Sequence, residues 1–94
     1  MDIEEARSLM RQYLAALNSK GGDTVRETGY EERVEGGWVF YYNSAEYLDT
    51  GKFETQLVGH GPTIVLDDGR ILAGGSAERP EDMIARYVIS GHAR

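Results

Sequence analysis

The chain has 94 residues, 16 of them acidic and 10 basic, for a formal net charge of −6, and it contains no cysteine. That length supports one domain with a single modest core and a stability on the order of 5–10 kcal/mol. The acidic balance repels nucleic-acid phosphates and anionic membrane surfaces, and the lack of cysteine excludes disulfides and thiolate zinc sites.

Residues 2–18 read as an amphipathic helix, with Ile3, Ala6, Met10, Tyr13, Leu14 and Leu17 at the spacing of one apolar face. Asp2 with Glu5 makes a capping box, and Asn18-Ser19-Lys20-Gly21-Gly22 supplies the stop. Residues 25–35 read as an edge or near-edge strand, with Val25, Glu27, Gly29, Glu31, Arg33 and Glu35 on one side and Tyr30 and Val34 on the other. Gly29 is placed to mark a bulge. A hairpin through Glu35-Gly36-Gly37 leads to Trp38-Val39-Phe40-Tyr41-Tyr42-Asn43, whose aromatic and β-branched residues define a strand that is apolar on both faces. Such a strand belongs inside a sheet, covered on each side.

Ser44 can cap a short helical turn, Ala45-Glu46-Tyr47-Leu48, that ends at Gly51. Phe53, Leu57 and Val58 are expected to pack as the chain crosses back, and Gly59-His60-Gly61-Pro62 reads as a loop. Residues 62–66 and 71–73 form a second hairpin about Asp67-Asp68-Gly69-Arg70, ended by Gly74-Gly75-Ser76. Pro80, followed by Glu81 and Asp82, opens a final helix with Met83, Ile84, Tyr87 and Val88 inward and Ser90-Gly91 closing it. The order implies an α+β fold, a single domain with an antiparallel sheet of about four strands, an N-terminal helix packed on it and a short C-terminal helix.

Nothing in the pattern carries catalysis. His60 is either a general base or interface contact, or simply a loop residue between two glycines. A Ser44-His60-Asp49 triad can be written, but its spacing matches no nucleophile elbow. Asp67-Asp68-Gly69 lacks the spaced carboxylates of a calcium loop, and Gly74-Gly75-Ser76 lacks the lysine of a phosphate loop. We therefore expect no catalytic residues, no metal and no cofactor. Glu27, Glu31 and Glu35 form a row of carboxylates that is either a solvated edge or an acidic docking surface. Tyr41, Tyr42 and Tyr47 are core residues or, if exposed, contact residues. The acidic N-terminus lacks the basic and apolar regions of a signal peptide, and no apolar run reaches the ~20 residues that span a bilayer. A soluble, cytoplasmic protein is expected.

The order and spacing of several short motifs resemble the immunity protein 35 (YrhB-like) family of small bacterial proteins. These are Gly37-Trp38-Val39-Phe40-Tyr41-Tyr42-Asn43-Ser44, Tyr47-Leu48, the Gly51 turn and Gly59-His60-Gly61-Pro62-Thr63-Ile64-Val65, then Asp68-Gly69, Gly74 and the helix from Pro80-Glu81 to Tyr87. The resemblance covers nearly the whole chain, weakest over 19–28, so residues 1–94 are read as one such domain. His60 departs from it, standing where a small polar residue is expected. The resemblance implies a non-enzymatic protein that neutralises a cognate polymorphic toxin domain, such as a papain-like peptidase or deamidase. A small chaperone-like protein is the alternative, and a weak hydrolase using His60 a more distant one. Partner contact is assigned to Glu27, Glu31, Glu35, Tyr41, Tyr42, Tyr47 and His60, with no nucleic acid or membrane involved and a homodimer left open.

Overall fold

The computed structural model describes residues 1–22, 24–57, 60–75 and 77–89, excepting the side chains of 88 and 89. Helix α1 (Ile3–Ser19) begins at the expected capping box: the Glu5 amide donates to Asp2 Oδ1 at 2.9 Å, and the Asp2 amide donates back to Glu5 Oε1 at 3.4 Å. Strand β1 (Val25–Val34) turns through Glu35-Gly36 into β2 (Gly37–Ser44). Ser44 then caps α2 (Ala45–Thr50), its hydroxyl accepting from the Tyr47 amide at 3.0 Å. A 3₁₀ turn (Phe53–Thr55) precedes β3 (His60–Leu66), β4 (Ile71–Gly75) and α3 (Pro80–Ile89).

The sheet is antiparallel throughout, in the order β1-β2-β3-β4. This order follows from local connections, since each hairpin pairs neighbours and the crossing segment returns β3 to the free edge of β2. Both faces of the central pair are covered. On one face, Ala6, Met10 and Leu14 of α1 bury against Phe40 and Val65, with Trp38 and Tyr42 packed beside them. On the other, Met83 and Tyr87 of α3 bury against Val39, Ile64 and Leu66. The two-sided apolar pattern of 38–43 is thus matched by one helix per face.

Three expectations are corrected. His60 is not in a loop: it opens β3, and Gly61 and Pro62 are buried strand residues. The register slips between His60 and Thr63, which accommodates the missing Pro62 donor, and a Cβ on Gly61 would collide with the carbonyl oxygen of Gly75. Phe53 does not pack, being 78% exposed. The crossing segment is held instead by Asn43 of β2, whose Oδ1 accepts from the Leu57 amide at 2.8 Å. The β3 and β4 strands are each two residues longer than expected, because the backbone pairing His60↔Gly75 extends past the apolar runs. The packing expected of Val58 and the inward side chain of Val88 lie outside the described residues. So do Gly59, Ser76 and the Ser90-Gly91 stop.

Phe40 is wholly buried beneath α1, whereas Trp38 stays part-exposed, its indole N–H donating to the Met1 carbonyl at 3.1 Å. Replacing Phe40 with Ala should cost about 3–5 kcal/mol, and Trp38→Ala less. Denaturant melts check this, and equal losses at the two positions would contradict the difference in burial.

Candidate partner-binding surface

Strand β1 is a sheet edge with a bulge. Glu27 pairs with Tyr42 and Glu31 with Phe40, so the residues between them loop out, and Gly29, at a φ of +98°, supplies the left-handed conformation this requires. The bulge preserves side-chain parity. Glu27 and Glu31 therefore share the α1 side of the sheet with Tyr42 and Phe40.

That side is largely engaged internally. Arg7 of α1 grips Glu31 through the Nε and Nη2 edge of its guanidinium, each bond 2.7 Å, and donates from Nη1 to Glu4 at 2.8 Å. Glu27 is half-buried beside this pair, and its Oε1 is buried without a hydrogen-bond partner among the described residues. Tyr42 stacks on His60 with ring centroids 4.5 Å apart. His60 Nε2 lies 2.6 Å from the Tyr42 carbonyl oxygen, so the tautomer with the proton on Nε2 donates to it. The edge begins at another tie: the Asn18 side chain accepts from the Val25 amide at 2.8 Å and donates to its carbonyl at 3.2 Å. Asn18 had been legible only as a helix stop.

The opposite side of the same edge is more open. Tyr30, 49% exposed, meets Tyr41 edge-on at 5.1 Å and donates its hydroxyl to Glu32 at 2.8 Å. Tyr41 also packs beside Val34 and Ile84 around the α3 core. At the hairpin end, exposed Glu35 joins Val34, Glu81, Ile84 and Ala85 around a groove of about 270 Å³. Tyr47 lies on α2, half-buried.

The structure thus brings Glu27, Glu31, Tyr42 and His60 to one side of the β1–β2 edge and separates them from Tyr41 and Glu35. The adjacent tyrosines of a strand face opposite ways, so they do not form one patch. Tyr30 was not singled out from the sequence, although its place after the bulge glycine was a signal. The α3 contribution from Ile84, Ala85 and Glu81 had none, since it arises only when that helix folds over the hairpin.

The residues of the possible triad each have other work. Ser44 caps α2, Asp49 binds Arg26 at 2.6 Å and His60 binds the Tyr42 carbonyl. Among the described residues, no group of three or more His, Asp or Glu side chains could hold a metal ion. No helix among them is long and apolar enough to cross a membrane.

A model of the family described as "Immunity protein 35" matches residues 4–87. The chain belongs to the immunity protein 35 family. The matched segment of this immunity protein 35 member runs from the first turn of α1 to Tyr87 of α3, taking in the whole sheet. It is also 34% identical over 58 residues to the Escherichia coli (strain K12) protein described as "Uncharacterized protein YrhB". That similarity covers 61% of this chain and 62% of the relative. No solved structure matches.

The electrostatics of the α1 side make this immunity protein 35 member's stability depend on pH in two opposed ways. Burial, then the neighbouring Glu31, raises the Glu27 carboxyl above its ordinary 4.5, although Arg11 and Arg7 draw it down. The hydrogen bond from Arg7 holds Glu31 below the ordinary carboxylate range, and that from Arg33 does the same for Asp67. A raised carboxyl favours the folded state at low pH, and that contribution is lost as pH rises through its folded value; the lowered pair contributes above the ordinary range and is lost as pH falls. Glu27→Gln should therefore raise the denaturation midpoint at about pH 7, with the gain vanishing near about pH 4. Urea melts at both pH values check this, and an equal gain at both would assign the effect to packing.

Proposed function

We propose that this chain is a cytoplasmic, non-enzymatic immunity protein that binds a cognate polymorphic toxin domain and neutralises it by covering its active cleft. The family match across residues 4–87 is the observation that carries this reading. A papain-like peptidase or deamidase domain is the partner class we favour. Occlusion requires an adhesive surface and no catalytic group on the inhibitor. The β1 edge fits that requirement, with carboxylates for steering and half-exposed aromatic rings for adhesion.

Contact in this reading runs along β1, with Glu35 and Tyr41 on the α3 side. Glu27, Glu31, Tyr42 and His60 contribute from the α1 side, and Tyr47 from α2. Glu31 enters already neutralised by Arg7, so long-range attraction falls mainly to exposed Glu35, with half-buried Glu27 adding less. Their conversion to Lys should slow association and weaken its salt dependence, while Tyr41→Ala should speed dissociation by a hot-spot cost of about 2 kcal/mol. Co-expression with any papain-like peptidase or deamidase toxin domain that a neighbouring gene encodes, with surface binding kinetics, checks both. A wild-type chain that neither binds that toxin nor protects the cell would overturn the immunity reading. Suppression of a client's aggregation in the same preparation would then favour the chaperone-like role.

A further inference from the structure

We propose that the groove between the β1–β2 hairpin and α3 is a socket for an arginine side chain presented by a basic protein partner. The proposal rests on the immunity reading only for the partner's identity as a toxin; the socket itself rests on the groove. Its walls are mainly apolar, formed by Val34 at the end of β1 and by Ile84 and Ala85 on α3. Two exposed glutamates, Glu35 and Glu81, complete the lining from the strand side and the helix side. At about 270 Å³, the groove suits one long side chain rather than a ring system or a cofactor.

Apolar walls with carboxylates on both sides complement a chain whose methylene stem is oily and whose tip is cationic. The guanidinium suits it better than an ammonium, because its planar fork offers donors in two directions at once, toward Glu35 and toward Glu81. Glu35 has no salt bridge or side-chain hydrogen bond among the described residues, and Glu81 has only a 3.6 Å approach from Arg79. Several other carboxylates of the surface are more firmly held: Glu31 by Arg7, Asp49 by Arg26, Asp67 by Arg33 and Glu78 by Arg86. Exposed Glu46 and Glu54 have no such partner among the described residues, but they line a more polar pocket. The groove therefore keeps negative charge available beside apolar surface. An overall charge of −6 favours the approach of a basic partner.

The test is an amide NMR titration of the full chain with an acetylated, amidated Gly-Arg-Gly peptide, and with the same peptide carrying neutral citrulline. The arginine peptide should cause saturable shifts at Val34, Glu35, Ile84 and Ala85. Glu35→Gln should weaken it about threefold, the size of a rim ion pair, and Ala85→Phe, at an exposed helix position, should abolish it by filling the groove. Equal shifts with citrulline, shifts scattered over other carboxylates, or no effect of Ala85→Phe would overturn the socket. In the toxin assay, Ala85→Phe should lower affinity at least tenfold; unchanged affinity would remove the socket from the docking surface while leaving the immunity reading intact. Failure of the wild-type chain to bind toxin would sink that reading and leave the peptide result to stand or fall on its own.

Discussion

The structure depends on β2 being apolar on both sides. Phe40 and Val39 are adjacent and both fully buried, so water must be excluded from the two faces of the sheet at once. A two-stranded hairpin cannot do this. The remedy is one helix per face, with α1 over Phe40 and Val65 and α3 over Val39 and Ile64. Placing β3 beside β2 gives the central strand a hydrogen-bonded neighbour on each edge. The element order of the whole domain follows from that requirement.

Covering the centre leaves β1 at the edge, and the edge shows how a small protein limits unwanted pairing. It bulges at Gly29, carries charge along its length and is pinned to α1 by Asn18 and by the two-pronged Arg7–Glu31 contact. These ties use up some of the acidity that the sequence displays. They also separate the carboxylates into those that hold the fold and those that remain available to a partner. Charge counted along a strand is therefore a poor measure of charge presented to a partner.

Membership of the immunity protein 35 family sets the expectation of a binding role, and the surface is compatible with it in a specific way. The two helices shield the centre of the sheet, and exposed Tyr30 meets half-buried Tyr41 beside the β1 edge, while the other exposed large ring, Phe53, lies in the 3₁₀ turn. Ring surface and carboxylates lie side by side at the β1 edge, while His60 and Ser44 are engaged by the Tyr42 carbonyl and the α2 cap.

Much of the fold was legible in the sequence, because it is encoded by local rules. The capping box at Asp2 and Glu5, the bulge at Gly29, the α2 cap at Ser44 and the helix start at Pro80 each involve residues close in the chain. Alternation along 38–43 even foretold cover on both faces. Tertiary structure decided what depends on long-range contact: that His60 joins a strand and stacks on Tyr42, that Phe53 is left outside, and that Arg7 claims Glu31. It also decided which glutamates share a face with which rings. Side-chain direction follows from backbone parity, but whether a carboxylate so directed meets solvent, an arginine or an apolar groove depends on elements far away in the chain, and the pattern of a single strand holds no record of them.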